Sequence, residues 1–228
     1  MATSLVVGGS SGLGRFIAEH LAEQGDDVII TSRNTKRAQE VAAEIGGTTR
    51  GLAVTLAQPA TIAAALAGID EVDNVVVTAF APTPITLNDF DITAAIAAIT
   101  VKLVGYTGVV RCLHGRMSEQ AAVVLFGGLA KDLPYPGSTM VTTHNGGISA
   151  LVKTLAVEIA PHRVNALHPG VVGDRPRWRD VPDHPAAGRT PTKRLVTMAD
   201  VADATVFLLR NPGVNAHDLI LDGGMSIT

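Results

Sequence analysis

The segment GGSSGLG, which follows a short apolar run near the beginning of the sequence, has residue types and spacing suited to binding phosphate. Its glycines are spaced G-x-x-x-G-x-G, which lets the backbone turn tightly and come close to a pyrophosphate. A helix that begins in its second half offers free N–H groups and a positive dipole end. A tight structural turn is the alternative interpretation. Because the segment lies between a predicted strand and a predicted helix, we expect a dinucleotide site formed by Gly8, Ser10, Ser11, Gly12, Leu13 and Gly14.

The end of the second apolar run, ITSRN, predicts which dinucleotide is bound. An acidic residue at this point would accept hydrogen bonds from a ribose 2′-hydroxyl. The sequence instead has the neutral Ser32 followed by Arg33, whose guanidinium is a planar donor suited to a phosphate. NADP(H) is therefore favoured over NAD(H), and Asn34 is included in the predicted site. A solvated arginine at the start of a helix is the alternative.

Three further motifs accompany the glycine-rich segment, in the order KTLAVEIA, HRVNALHPGVV and DLILDGG. Together they make essentially the whole chain resemble the short-chain dehydrogenase/reductase family. The resemblance implies a Rossmann-like fold, a nicotinamide cofactor and assembly into homodimers or homotetramers through two long helices. The family's usual Asn-Asn-Ala-Gly turn is replaced here by VTAF, which makes the expected adenosine pocket less polar. Further cofactor contacts are expected after the third, fourth and sixth strands, at Thr55, Leu56, Thr78, Ala79, Phe80, Pro169, Gly170 and Val172.

The same resemblance points to the positions that the family uses for proton transfer: Ser, Tyr and Lys, with an Asn on the preceding helix. When the chain is aligned on KTLAVEIA, the lysine and tyrosine positions hold Asn145 and Val141. The serine position holds Gly128, and the asparagine position holds Lys102. The family's catalytic set therefore cannot be carried over residue by residue, and proton transfer would require a different donor.

Four residues near these positions are candidates for the chemistry. Lys102 could bring its ammonium to the space that the family's lysine fills, and burial would lower its pKa towards neutral pH. A lysine that reaches the surface or pairs with an acidic neighbour is the alternative. His144 projects from roughly the same helix face as Val141 and could act as acid or base, or only bond a backbone carbonyl. Tyr135 offers a hydroxyl, with a packing or lid role as its alternative, and Asn145 could bond ribose hydroxyls.

Short apolar strands that alternate with longer amphipathic helices must position these residues. Seven nearly all-apolar runs predict buried parallel strands at 4–7, 27–31, 51–56, 74–79, 121–126, 163–168 and 218–222. Helices are predicted near 12–24, 35–45, 59–67, 89–114, 139–159 and 199–210. This alternation predicts one α/β domain over residues 1–228, with a Rossmann-like doubly wound parallel sheet flanked by helices on both faces. The irregular stretch 170–192 is predicted to be a substrate lid.

Composition and charge limit the expected partners and location. The 228 residues carry 18 basic and 21 acidic side chains, so no nucleic-acid partner is implied. The apolar stretch ITAAIAAITV stops at Lys102 and is too short to span a bilayer, and the N-terminus lacks the basic region of a signal peptide. The single cysteine fits a reducing compartment. We expect a cytoplasmic protein with no membrane partner and, because the histidines show no ligand spacing, no metal site.

Three functions are compatible with these residues. The first is an NADP(H)-dependent oxidoreductase with a rearranged active site that acts on a small carbonyl or alcohol substrate. The second is a catalytically silent NADP(H)-binding sensor or partner protein. The third is a non-redox enzyme on the same scaffold, such as a cyclase, isomerase or dehydratase. We rank them in this order, because the predicted cofactor site is intact and such sites most often serve hydride transfer.

Overall fold

The computed structural model describes residues 1–80, 86–176, 178 and 184–228. Its strands are β1 (Thr3–Val7), β2 (Asp27–Ser32), β3 (Arg50–Ala53), β4 (Val72–Val77), β5 (Met117–Phe126), β6 (Arg163–Pro169) and β7 (Asp218–Leu221). They form one parallel sheet in the order β3-β2-β1-β4-β5-β6-β7. The predicted doubly wound α/β fold is confirmed, and each strand overlaps its predicted range.

The helices of the described residues connect these strands. They are α1 (Gly12–Glu23), α2 (Thr35–Ile45), α3 (Ile62–Ala65), α4 (Ile92–Ile99), α5 (Tyr106–Leu113), α6 (Thr139–Glu158), α7 (Pro185–Arg189) and α8 (Met198–Arg210). Local capping fixes several of their ends. The Asn34 side chain accepts a hydrogen bond from a backbone N–H in the first turn of α2, and Thr197 and Asp200 form a capping box at α8.

Apolar side chains cover both faces of the sheet. Successive strand residues point to opposite faces, so Leu5 and Val7 belong to one core while Val6 belongs to the other. Helices α3, α5 and α6 pack on the first face, and α1, α2 and α8 pack on the second. Because both faces are buried, the strands are almost wholly apolar rather than alternating.

One continuous helix, Ile92–Arg116, contains α4, a π-helical turn at Thr100–Gly105, and α5. Among the described residues it is the one helix whose length and composition would suffice to cross a membrane. Core helices of soluble proteins meet the same criterion, and a third of its most apolar window is buried in the protein. The helix predicted near 89–114 is confirmed, but the expectation that its apolar stretch is too short to span a bilayer is wrong as to length, because Lys102 is turned inward, only 3% exposed, and the helix continues past it.

The predicted lid, 170–192, is described only in part, since residues 177 and 179–183 lie outside the described residues. The described part contains α7, so the expectation of a wholly irregular stretch is wrong. Ala186 on this helix packs with Leu129 and Met225 in a small apolar cluster. Helix α7 therefore packs against the connection that follows β5, beside a cavity at the carboxyl edge of the sheet. Its role as a lid stays a prediction.

Candidate functional site

A cavity of about 1410 Å³ lies along the carboxyl edge of the parallel strands. Open α/β sheets bind their ligands at this edge, where the connections after the strands diverge. The described wall includes the glycine-rich segment, the residues after β2, β3, β4 and β6, and the inner side of the long helix. Since a single ligand site typically occupies roughly 300–1,000 Å³, the cavity has room for a cofactor together with a small substrate.

The glycine-rich segment forms a cradle at the start of α1. All six of its predicted contact residues lie on the cavity wall. Gly8 has a φ of 87°, and a Cβ on Gly14 would collide with the Gly8 carbonyl oxygen, so these two positions require glycine. Ser11 begins α1 without a side-chain capping bond. The first N–H groups of the helix therefore remain available to an anion.

Two arginines stand where the chain leaves β2. Ser32 and Arg33 line the cavity, and so does Arg37, one helical turn further on. The Arg37 Nη2 donates to the Ser10 carbonyl at 3.4 Å, whereas the Arg33 guanidinium has no hydrogen bond or ion pair with a described residue. Asn34 is absent from the described wall, because its side chain caps α2. Sequence reasoning missed Arg37, although it lies four residues after Arg33, in the first turn of the predicted helix.

The remaining predicted cofactor contacts follow β3, β4 and β6 at the same edge. The Thr78 hydroxyl donates to the Val7 carbonyl at 3.1 Å, which ties the chain after β4 to β1 beside the cradle. All of this set lines the cavity: Thr55, Leu56, Thr78, Ala79, Phe80, Pro169, Gly170 and Val172. Together with the cradle after β1 and the residues after β2, the fold thus brings residues from five separate strand ends around one space, and their contact with a cofactor stays a prediction.

Lys102 is a buried cation on the cavity wall with no acidic partner among the described residues. It lies in the π-helical turn of the long helix, a geometry that is frequent at functional sites. Its Nζ donates to the Tyr106 hydroxyl at 3.2 Å. Burial lowers the pKa of Lys102 from 10.5 to about 7. The surface alternative is therefore wrong, and the amine can gain or lose a proton near neutral pH.

Tyr106 holds this amine in place, and sequence reasoning missed it. The side chain is fully buried, and its hydroxyl donates to the Ala79 carbonyl at 2.8 Å while accepting from Lys102. Burial raises the pKa of Tyr106, so the hydroxyl keeps its proton. The i,i+4 spacing within KLVGY was a signal for this pair, since such residues meet on a helix surface.

His144 is buried but is absent from the described wall of the cavity. Neither ring nitrogen has a hydrogen-bond partner in the described structure, so the alternative of a bond to a backbone carbonyl is wrong. The ring meets that of Phe80 edge-on, with 6.5 Å between the centroids. Burial, and after it the charge of Lys102, lower the pKa of His144 to about 4. Lys102 is therefore better placed than His144 to donate a proton.

Tyr135 lies on the rim of the cavity and is exposed. Its hydroxyl makes no hydrogen bond with a described residue, while its backbone N–H donates to Ser138 Oγ at 2.9 Å. Tyr135 therefore stays a candidate to meet a ligand at the mouth of the cavity. Within the described ranges, no group of histidine, cysteine and carboxylate side chains is arranged to hold a metal ion.

Comparison with known proteins identifies the family. The family model described as enoyl-(acyl carrier protein) reductase matches residues 7–226. The chain belongs to the short-chain dehydrogenase/reductase family. The 3-oxoacyl-[acyl-carrier-protein] reductases of Bos taurus and Escherichia coli strain K12 are each 27% identical to it. The first alignment covers 98% of this chain and 97% of the relative, and the second covers 97% and 96%.

Solved structures agree with this family. One described as a short chain dehydrogenase/reductase family protein is 28% identical, has a TM-score of 0.88, and covers 100% of this chain and 98% of its own. The MalC reductase/Diels-Alderase of Malbranchea aurantiaca has a TM-score of 0.89 at 23% identity over 99% and 95% of the two chains, which is a likeness of fold. The short-chain reductases use a nicotinamide cofactor, and the cradle of this member lies where such a cofactor would bind.

The positions that the resemblance assigns to the family's serine, tyrosine and lysine meet at the cavity of this short-chain dehydrogenase/reductase. They hold Gly128, Val141 and Asn145, all on the wall. A Cβ on Gly128 would lie 2.8 Å from Asn145 Nδ2, so the amide occupies the space that a larger residue at 128 would need. The turn is fixed from behind, because the Gly128 N–H donates to His168 Nδ1 at 3.1 Å. With Nδ1 accepting, the Nε2–H of the neutral ring donates to Asp218 at 3.0 Å.

Proposed function

We propose that the protein is an NADP(H)-dependent oxidoreductase that interconverts a carbonyl and an alcohol, with Lys102 as the proton donor of a rearranged active site. The observation that carries the proposal is the buried lysine, without an acidic partner in the described residues, on the wall of the cavity that holds the phosphate cradle. Burying an unpaired amine is costly. A strongly perturbed group in a ligand cavity is therefore a candidate functional group.

The residues at the edge of the sheet fit a dinucleotide phosphate. Glycine at position 14 lets the first turn of α1 pack directly against the Gly8 carbonyl, and the open N–H groups of α1 suit a pyrophosphate. The Arg33 guanidinium, which has no partner in the described residues, would hold a 2′-phosphate with Arg37 beside it. When bound, the nicotinamide supplies or accepts the hydride. Asn145, whose amide makes no hydrogen bond with a described residue, would bond the neighbouring ribose hydroxyls.

Lys102 would supply the proton when a carbonyl is reduced. An ammonium has three N–H donors, and Tyr106 accepts only one of them. The others remain available to a carbonyl oxygen in the cavity. With a pKa of about 7, the amine is partly protonated at neutral pH and gives up its proton at little cost. In the reverse direction the neutral amine accepts the proton of an alcohol.

The curated relatives support the class of reaction. Their names describe reductases of 3-oxoacyl groups on acyl carrier protein, that is, of a ketone. We propose that ketone reduction is also the reaction here, with the proton supplied from the long helix instead of from α6. Val141 on α6 contributes an apolar wall, which excludes water from the place where hydride and proton are transferred.

The test combines cofactor binding and turnover. We expect the protein to bind NADPH more tightly than NADH in titration calorimetry and to oxidise NADPH with at least one compound of a broad ketone panel. Lys102→Met should retain the NADPH affinity and lose turnover. Lys153→Met is the matched control, since Lys153 is exposed on α6 and absent from the described cavity wall. Unchanged turnover in Lys102→Met would contradict the role of Lys102.

The same experiment separates the other two functions. Asn145 is a neutral residue at a cavity position where the resemblance implies a cation, which favours the silent NADP(H)-binding sensor or partner as the second candidate. Tight NADPH binding without oxidation by any ketone would support that candidate. Failure to bind any nicotinamide nucleotide would instead support a non-redox enzyme on this scaffold.

We also propose that the protein is a cytoplasmic homodimer or homotetramer that pairs through its long helices. Ile92 and Ile96 on the long helix are 66% and 61% exposed, and Val104 two turns later and Val157 on α6 are exposed as well. Unpaired apolar side chains on adjacent helices favour association. Light scattering should give a multiple of 23.6 kDa for the wild type and a smaller species for Ile96→Glu.

A further inference from the structure

All charged residues that line the described part of the cavity are cationic. They are Arg33, Arg37, Lys102, Arg175 and Arg189, and the described wall contains no aspartate or glutamate. The whole chain has more acidic than basic residues, 21 against 18, so composition does not explain this segregation. A ligand cavity lined by charge of one sign attracts ligands of the opposite sign.

The arginines of the wall form two groups at opposite ends. Arg33 and Arg37 follow β2, whereas Arg175 follows β6 and Arg189 ends α7. Strands β2 and β6 are four places apart in the sheet, which is roughly 19 Å at about 4.8 Å per strand. The two pairs are therefore positioned to meet different groups of a bound ligand.

Arg175 and Arg189 also lack partners among the described residues. Neither guanidinium has a hydrogen bond or ion pair with a described residue, whereas Arg15 and Arg194 are paired with glutamate or aspartate. Arg111 also lacks a side-chain partner in the described ranges, but it does not line the described part of the cavity. Two guanidiniums with no partner among the described residues thus stand at the end of the cavity away from the Arg33 pair, where they are available to an anionic group.

The surroundings of this second pair are apolar. Leu129, Ala186 and Met225 form a buried cluster against which Leu133 and Val171 pack, and all five residues line the cavity. A ligand that filled this end would place an apolar body on the cluster and an anionic group on the arginines.

We infer that the substrate is a ketone with an apolar body and an anionic group, a carboxylate or a phosphate, which Arg175 and Arg189 bind. This inference rests on the proposed function, because only an enzyme has a substrate. Binding of the anionic ligand can nevertheless be measured without turnover. Arginine binds both groups with paired N–H donors, so the shared chemistry is the negative charge at the end of an apolar chain.

The test compares three ligands with one chain: 7-oxooctanoate, 7-oxooctyl phosphate and methyl 7-oxooctanoate, which is neutral. Their affinities are measured calorimetrically with saturating NADP⁺, which cannot reduce a ketone, and again without nucleotide. At least one anion should bind about tenfold or more tightly than the ester, the effect of a hydrogen bond to a charged group. Which anion binds more tightly distinguishes carboxylate from phosphate.

Arg175→Gln and Arg189→Gln should each remove most of this preference and leave the affinity for the ester unchanged. Arg111→Gln is the matched control and should alter neither affinity. Equal affinity for acid, phosphate and ester in the wild type would overturn the inference. So would a loss of NADP⁺ affinity in the two variants with the anion preference intact, because the arginines would then serve the cofactor. Anion preference without any turnover would leave the inference standing and refute the proposed reductase.

Discussion

Replacement of Lys102 by methionine should make the protein more stable while it abolishes turnover. The pKa of Lys102 falls from 10.5 to about 7 on burial, and each pKa unit corresponds to about 1.4 kcal/mol. Keeping this lysine protonated in the folded state therefore costs on the order of 5 kcal/mol. Losing the hydrogen bond to Tyr106 offsets about 1 kcal/mol of the gain. We expect Lys102→Met to raise the free energy of unfolding by about 4 kcal/mol at pH 7.

The stability gain of Lys102→Met should depend on pH, which a gain from packing alone would not. The folded-state pKa is lower than the unfolded one, so the cost is fully present below about pH 7. It disappears between about pH 7 and pH 10.5 as the unfolded chain also loses the proton. The stability difference between variant and wild type should therefore shrink by up to about 1.4 kcal/mol per pH unit across this range.

Urea denaturation of both proteins between pH 6 and pH 10 measures this difference, and a ketone assay with NADPH measures turnover. Lys153→Met serves as the control, because its exposed side chain should change stability by less than about 0.5 kcal/mol. A Lys102→Met variant that is less stable than the wild type, or equally stable at every pH, would refute the reasoning about burial. One that retains turnover would refute the role of Lys102 as proton donor.

Three further predictions follow from the same geometry. In the wild type, kcat/KM for ketone reduction should fall as pH rises above about 7, because Lys102 loses its proton there; a flat profile up to pH 9 would argue for another donor. Arg33→Gln should weaken NADPH binding about tenfold or more and leave NADH binding unchanged in calorimetry, since only the 2′-phosphate is lost as a partner. The lowered pKa of His144, about 4, predicts that stability falls with pH from about 6.5 towards 4. His144→Leu should remove that loss, worth on the order of 2 kcal/mol at pH 5. Urea denaturation that shows the same loss of stability with falling pH in the variant and the wild type would contradict it.

Strands and helices were predictable because the apolar runs are dictated by a sheet that is buried on both faces. The glycine-rich cradle was predictable for a related reason, since Gly8 and Gly14 meet a backbone that excludes any side chain. Helix α7 escaped because five residues with a proline and a glycine carry no periodic pattern. The long helix was predicted to continue past Lys102, but its full apolar length escaped, because a charge in an apolar run indicates the end of that run unless its burial is known.

The candidate site was predictable residue by residue only where a position on a strand end determines what faces the cavity. Lys102 was found differently, from its alignment with the family's asparagine position on the preceding helix, but its lowered pKa depends on burial, which only packing reveals. His144 shows the opposite outcome. Its spacing from Val141 indicates a common face of α6. The ring is nevertheless buried and absent from the described cavity wall, because α6 also packs against neighbouring helices.

A crystal structure of the complex with NADP⁺ and a ketone tests the central claim most directly. The account predicts the nicotinamide at the strand ends near Pro169 and a carbonyl oxygen within hydrogen-bond distance of Lys102 Nζ, about 2.6–3.2 Å. A carbonyl oxygen that meets only the Tyr135 hydroxyl or solvent, with the Lys102 amine still turned to Tyr106, would contradict it.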